Sequence, residues 1–168
     1  TIGTHSMVGD DSSSVPAAQS IAIGGSGTPR DTGARKNGDS GGAWAKGDQS
    51  IAIGGDTIAD GHSSIAIGGD DLDKAGAKTV TYTFGTGTKT ASLDTAMTDL
   101  TGTSTGYRQY TSTRSGAGAV ALGVKAVSGD LSLAIGTMST ANKVNATAVG
   151  TGAVADLDNS VAIGGGAT

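Results

Sequence analysis

The chain has 168 residues, and glycine (30), alanine (25), serine (18) and threonine (23) make up 96 of them. Val, Ile, Leu and Phe together number 28, fewer than an ordinary globular core uses, yet the formal charge is only −4 and does not fit a highly charged disordered chain. Absent cysteine excludes disulfides and thiolate metal sites, no apolar run approaches the ~20 residues of a membrane span, and a pI near 4.8 argues against nucleic acid as a partner.

In chain order, a five-residue phrase recurs as Ser20-Ile-Ala-Ile-Gly24, Ser50-Ile-Ala-Ile-Gly54 and Ser64-Ile-Ala-Ile-Gly68. Looser copies are Ala119-Val-Ala-Leu-Gly123, Ser132-Leu-Ala-Ile-Gly136, Ala146-Thr-Ala-Val-Gly150 and Ser160-Val-Ala-Ile-Gly164, and His5-Ser-Met-Val-Gly9 reads as a worn first copy. The closing glycines at 9, 24, 54, 68, 123, 136, 150 and 164 set a unit of about 14 residues. After the glycine, small residues flank a β-favouring one (Ile58, Val127, Thr140, Val154), and a turn residue follows (Asp60, Gly129, Asn142, Asp156). Strand, glycine turn, strand, polar turn is one rung of an all-β parallel β-solenoid. A helix fits poorly, since each interior glycine would cost it ~1 kcal/mol.

Within the phrase, Ile21 and Ile23 point to one side of the strand and Ala22 to the other, so neither face is polar. A strand apolar on both faces is buried on both. One face lines a thin interior of Ala, Ser and Thr; the economical cover for the other is a second copy of the chain. The pattern leaves open which face carries the isoleucines inward.

The phrase Asn159-Ser-Val-Ala-Ile-Gly164, with its copies at this spacing, resembles the head repeat of trimeric autotransporter adhesins, the YadA-like heads. The resemblance implies a left-handed parallel β-roll in each chain and a homotrimer. It also implies display on the surface of a Gram-negative bacterium, anchored in the outer membrane by a C-terminal region, with this chain an excised head that itself makes no direct membrane contact. The implied function is non-enzymatic attachment to a host extracellular matrix protein, a glycan or a cell-surface receptor. Residues 1–168 read as one such head, of about eight coils, with coils over 1–24, 50–69 and 117–168 and insertions at about 25–49 and 70–116.

Those two insertions, so bounded, hold every aromatic residue (Trp44, Tyr82, Phe84, Tyr107 and Tyr110) and all the basic residues except Lys125 and Lys143. Aromatics and Arg favour binding hot spots, and excursions from a rigid scaffold commonly carry recognition. Trp44, Tyr107, Arg108 and Tyr110 are the ligand-contact candidates, each weighed against a packing role. Thr79–Phe84 alternates like a strand ending at Gly85-Thr-Gly87, and Leu93, Met97 and Leu100 recur on one helical face. With Val80, Tyr82 and Phe84 these residues are expected to form a satellite core against the roll. The basic cluster Arg30, Arg35 and Lys36 reads as a solvated loop, or as a seat for a sulfated glycan.

Catalysis has no support. His5 and His62 lie in different coils without a paired nucleophile, and neither Gly25-Ser-Gly-Thr-Pro-Arg30 nor Gly85-Thr-Gly-Thr-Lys-Thr90 has nucleotide-loop spacing. Gly54-Gly-Asp56 and Gly68-Gly-Asp-Asp71 resemble calcium-roll turns, but the glycines at 123, 136 and 150 carry no following acid. No cofactor and no metal is expected. The alternatives are a trimeric phage tail-fibre segment, which lacks the Ser-Val-Ala-Ile-Gly phrase, and an ice-binding solenoid, which needs threonine at one coil position.

Overall fold

A computed structural model describes residues 2–3, 6–9, 17–25, 41–70, 72–103 and 111–168. Along them run β1 (Met7–Val8), β2 (Ile21–Ile23), β3 (Trp44–Ala45), β4 (Ile51–Ile53), β5 (Thr57–Ala59), β6 (Ile65–Ile67), α1 (Asp73–Gly76), β7 (Thr79–Phe84), β8 (Gly87–Ser92), α2 (Leu93–Thr101), β9 (Thr113–Ser115), β10 (Val120–Leu122), β11 (Val127–Ser128), β12 (Leu133–Ile135), β13 (Thr140–Ala141), β14 (Thr147–Val149) and β15 (Val161–Ile163). The repeated phrases pair in parallel as one sheet, β2-β4-β6-β10-β12-β14-β15. The second halves pair as another, β1-β3-β5-β9-β11-β13, which an isolated bridge from Thr140 extends to Val154. The expected two-strand rung is therefore the repeating unit, and the roll is built of parallel strands.

The faces are assigned by burial. In the first sheet the central alanines stack in register and are buried, from Ala22 through Ala134 to Ala162. In the second sheet the small flanking residues point inward, among them Thr57, Ala59, Thr113, Ser115, Ser139 and Ala141, while Ile58, Arg114, Val127 and Thr140 point outward. The isoleucines are thus outside the roll. Among the described residues nothing larger than threonine is fully buried in it, so the hydroxyls inside need local partners. Ser132 Oγ lies within hydrogen-bond reach of the carbonyls of Gly129 (2.8 Å) and Ala141 (2.7 Å), which share its one proton, and Ser50 and Ser64 donate to those of Gly47 (2.6 Å) and Gly61 (2.7 Å).

The glycine closing each phrase is required by the stacking of coils. Gly136 has φ +126°, and a Cβ there would sit 2.6 Å from the Gly150 carbonyl oxygen of the next coil. The opposite turn holds one residue in the left-handed region, and Asn145 and Asn159 suit it while their side chains bond each other at 2.8 Å.

Four readings of the sequence change. The worn first copy is not a phrase: Met7–Val8 pairs with β3 in the second sheet, and Ile2 bridges Ile23 in the first. The first insertion does not reach 49, because Trp44 pairs with Ile58 and Ala45 with Ala59 as a regular coil. Trp44 and Lys46 therefore sit on the roll. The second insertion ends before 116: it leaves within one coil and returns at β9, where Arg114 pairs with Ile58 and Val127. Thr113 Oγ1 lies 2.8 Å from the Gly69 carbonyl and 2.7 Å from that of Gly123, stitching the point of departure to the point of return. Lastly, the satellite core is smaller than expected. β7 gains an antiparallel partner, β8, whose polar Gly-Thr-Lys-Thr pattern carries no apolar signal, and Phe84 and Leu100 remain exposed.

Two substitutions test this packing by urea unfolding followed by circular dichroism. Ala134→Leu forces a larger side chain into the filled interior and is expected to lower stability by roughly 1–3 kcal/mol or more. Gly136→Ala, strained and pressed on the next coil, is expected to lose at least ~1 kcal/mol.

Candidate functional site

Three outward surfaces carry the chemistry. The first is the outer face of the phrase sheet, which presents two columns of Ile, Val and Leu, interrupted by Thr147. It is polar nowhere else along its strands; Ile21, Leu122, Val161 and Ile163 are exposed and its other aliphatics half-buried.

The second lies on the opposite sheet. Here Trp44 stacks in register between Met7 and Ile58, and Arg114 follows. The Trp44 indole Nε1 donates to the Gly9 carbonyl at 2.8 Å, and Lys46 Nζ stands 4.8 Å from the ring centroid. Asp60 joins the coils by accepting Lys46 at 2.8 Å through one oxygen and the Arg114 guanidinium through the other. The result is a half-buried aromatic platform edged by two cations and one carboxylate. Of the ligand-contact candidates, Trp44 is placed here; Tyr107, Arg108 and Tyr110 lie outside the described residues, as do His5 and the Arg30, Arg35 and Lys36 cluster. Sequence reasoning missed Asp60 and Arg114 as partners, because only the coil register brings residues 54 apart together.

The third surface is the second insertion. Ser92 caps α2 by accepting from Thr95 N at 3.2 Å, and Gly102 ends it in the left-handed region. Ala96 and Met97 are buried, and Thr101 lies against the roll where a Cβ on Gly166 would come 2.6 Å from its Cα. That glycine stands where the coils of β10 and β12 have Lys125 and Met138, and it is what lets the helix approach. Between α2 and the roll opens an apolar groove of about 370 Å³, lined by Leu72, Leu93, Ala96, Met97, Leu100, Thr101, Thr137, Thr151 and Gly165.

On the outer side of the insertion, the Tyr82 hydroxyl donates to Asp99 Oδ2, which also accepts Lys89 at 2.6 Å. Lys89, and after it Tyr82, hold the Asp99 carboxyl below its ordinary pKa, and the same Asp99 bond raises Lys89. Burial, then Asp99, raise the Tyr82 phenol. Because the Asp99 pKa is depressed on folding, its contribution is present above the unfolded value of about 3.9 and is lost as pH falls through the folded one.

With this geometry in hand, the family model described as YadA head domain repeat (2 copies) matches residues 45–70, 128–153 and 141–167. These matches fall on regular coils of the roll and include β3's Ala45. These repeats support a YadA-like head of a trimeric autotransporter adhesin. Heads of this family are structural adhesin domains of bacterial surface autotransporters, form trimers and bind host matrix. No curated protein and no solved structure matches the chain. Among the described residues, no helix is long and apolar enough to cross a membrane.

The insertion cluster is tested by an NMR pH titration of its carboxyls. Asp99 is expected to titrate below the ordinary range, and Lys89→Met to move it upward with the roll intact. An Asp99 at or above the ordinary value in the unsubstituted head would contradict the cluster.

Proposed function

We propose that the chain is a rigid, non-enzymatic adhesin head that works as a homotrimer of left-handed rolls. It attaches a Gram-negative cell, from an outer-membrane anchor, to host extracellular matrix or host cells. The observation that carries the reading is the outward Ile/Val/Leu face of the phrase sheet, on a chain matched by the YadA head repeat. Burying such a side chain is worth roughly 1.5–3 kcal/mol. Two columns of them over seven strands, most half-buried in the single chain, offer a term to set against the ~4–15 kcal/mol that association costs.

Threefold symmetry supports the adhesive part of the reading. Each trimer presents three copies of the Trp44 platform and of any contact made by Tyr107, Arg108 and Tyr110. Contacts held at fixed spacing on one stiff body gain avidity of 10²–10⁴ over a single contact. That logic needs no deep pocket and no reaction.

Light scattering over a dilution series is expected to give about 48 kDa, three times 16.1 kDa, for the chain. Ile135→Asp, which places a charge on the phrase face, is expected to bring it to a folded 16.1 kDa subunit. A folded 16.1 kDa mass for the unsubstituted chain would overturn the trimer. For adhesion, a trimer carrying Trp44→Ala, Tyr107→Ala, Arg108→Ala and Tyr110→Ala is expected to lose most of its binding to immobilised matrix proteins. Unchanged binding would remove these residues from the contact.

A further inference from the structure

The insertion helix lies at one end of the phrase strands, and an unexpected set of side chains lies at the other. The groove under α2 is closed on the roll side by Thr137, Thr151 and Gly165, the residues just past the glycines that end β12, β14 and β15. At the turns that lead into those same three strands stand Leu131, Val144 and Leu157, which are 64%, 48% and 69% exposed. In the coils of β4 and β6 the same turn is Gly47-Asp48-Gln49 and Gly61-His62-Ser63. Among the described residues, apolar side chains larger than alanine thus appear at this turn only where the opposite turn, on the same coils, borders the groove; the coils of β2 and β10 have Ala18 and Ala117 there.

Leu131 adds a second, independent observation. It sits at φ +56°, the left-handed position that Gln49, Ser63, Asn145 and Asn159 fill in other coils. Leucine is a poor occupant of that conformation, and its side chain there is mostly open to solvent. The subunit's backbone does not favour it, and although its Cδ2 lies over Gly118 of the neighbouring coil, most of the side chain is left open.

A cyclic trimer brings these two ends together. If the phrase faces of three parallel rolls surround one axis, each strand lies along one side of a triangle, and the end of one meets the start of the next at the same coil level. We infer that α2 of each subunit clasps its neighbour, with Leu131, Val144 and Leu157 of the partner subunit seated in the groove under the helix. The groove and the three turn residues belong to the same three coils, and the occupant is a second copy of this chain. This rests on the trimer reading above. It makes the insertion a structural element of the assembly, locking the order of subunits around the ring where the contacts between phrase faces alone are repetitive and tolerate axial slip by one coil.

The chain has no cysteine, so an engineered pair reports directly. Leu100→Cys with Leu157→Cys is expected to give a covalent three-chain species on denaturing gels after mild oxidation, and neither single variant is expected to. A second variant guards against misfolding: Leu131→Asn relieves the subunit's backbone, so its melting should hold or rise, while the concentration at which trimers dissociate should rise about tenfold or more as the leucine contact is lost. A 48 kDa trimer (three times 16.1 kDa) that neither cross-links nor weakens with Leu131→Asn overturns the clasp and leaves the trimer standing. A 16.1 kDa subunit overturns both.

Discussion

The structure depends on how closely the coils and sheets approach one another. Stacked rungs bring the carbonyl of one closing glycine against the Cα of the last, and the two sheets leave room between them only for Ala, Ser and Thr. Side chains of that size bury little apolar area each, so the interior alone cannot supply the stability a larger core would. It contributes a continuous hydrogen-bonded ladder, whose turn carbonyls the interior serines help to satisfy. The larger aliphatics have nowhere to go but outward.

That displacement turns a folding constraint into a functional one. A row of Ile, Val and Leu on the outside of a solenoid is an unpaired apolar surface of a size that soluble subunits seldom leave open. Covering it with identical copies gives a stiff multimer whose remaining surfaces are repeated around an axis. The second sheet is treated differently. Its outward column takes Trp44, Ile58 and Arg114 in successive rungs, and Asp60 ties Lys46 and Arg114 across them. In the function proposed above, one sheet serves assembly and the other contact with a surface.

The second insertion shows how a repeat accepts foreign chain without losing register. It departs at the glycine turn, where the ladder already bends, and on return the Thr113 hydroxyl sits within hydrogen-bond reach of the Gly69 and Gly123 carbonyls, which share its one proton. Inside it, Ser92 and Gly102 delimit the helix, and the Tyr82, Lys89 and Asp99 cluster fastens the hairpin to that helix. Gly166 then lets α2 lie against the roll.

The repeating phrase determined the coil length, the parallel strands and the thinness of the interior, because a period repeated seven times leaves few folds that satisfy every glycine. The helix of the insertion was also legible, through Leu93, Met97 and Leu100 at helical spacing. What the tertiary structure decided was direction and company. An Ile-Ala-Ile strand is apolar on both sides, so only the closeness of the facing sheet sends the alanines in and the isoleucines out. Trp44 and Arg114 read as insertion residues because their neighbours in the chain break the pattern. They belong to the roll because backbone pairing, which ignores side-chain identity, sets them beside Ile58. Asp60 meets Arg114 for the same reason: a solenoid makes neighbours of residues a coil apart, whatever the length of chain inserted between them.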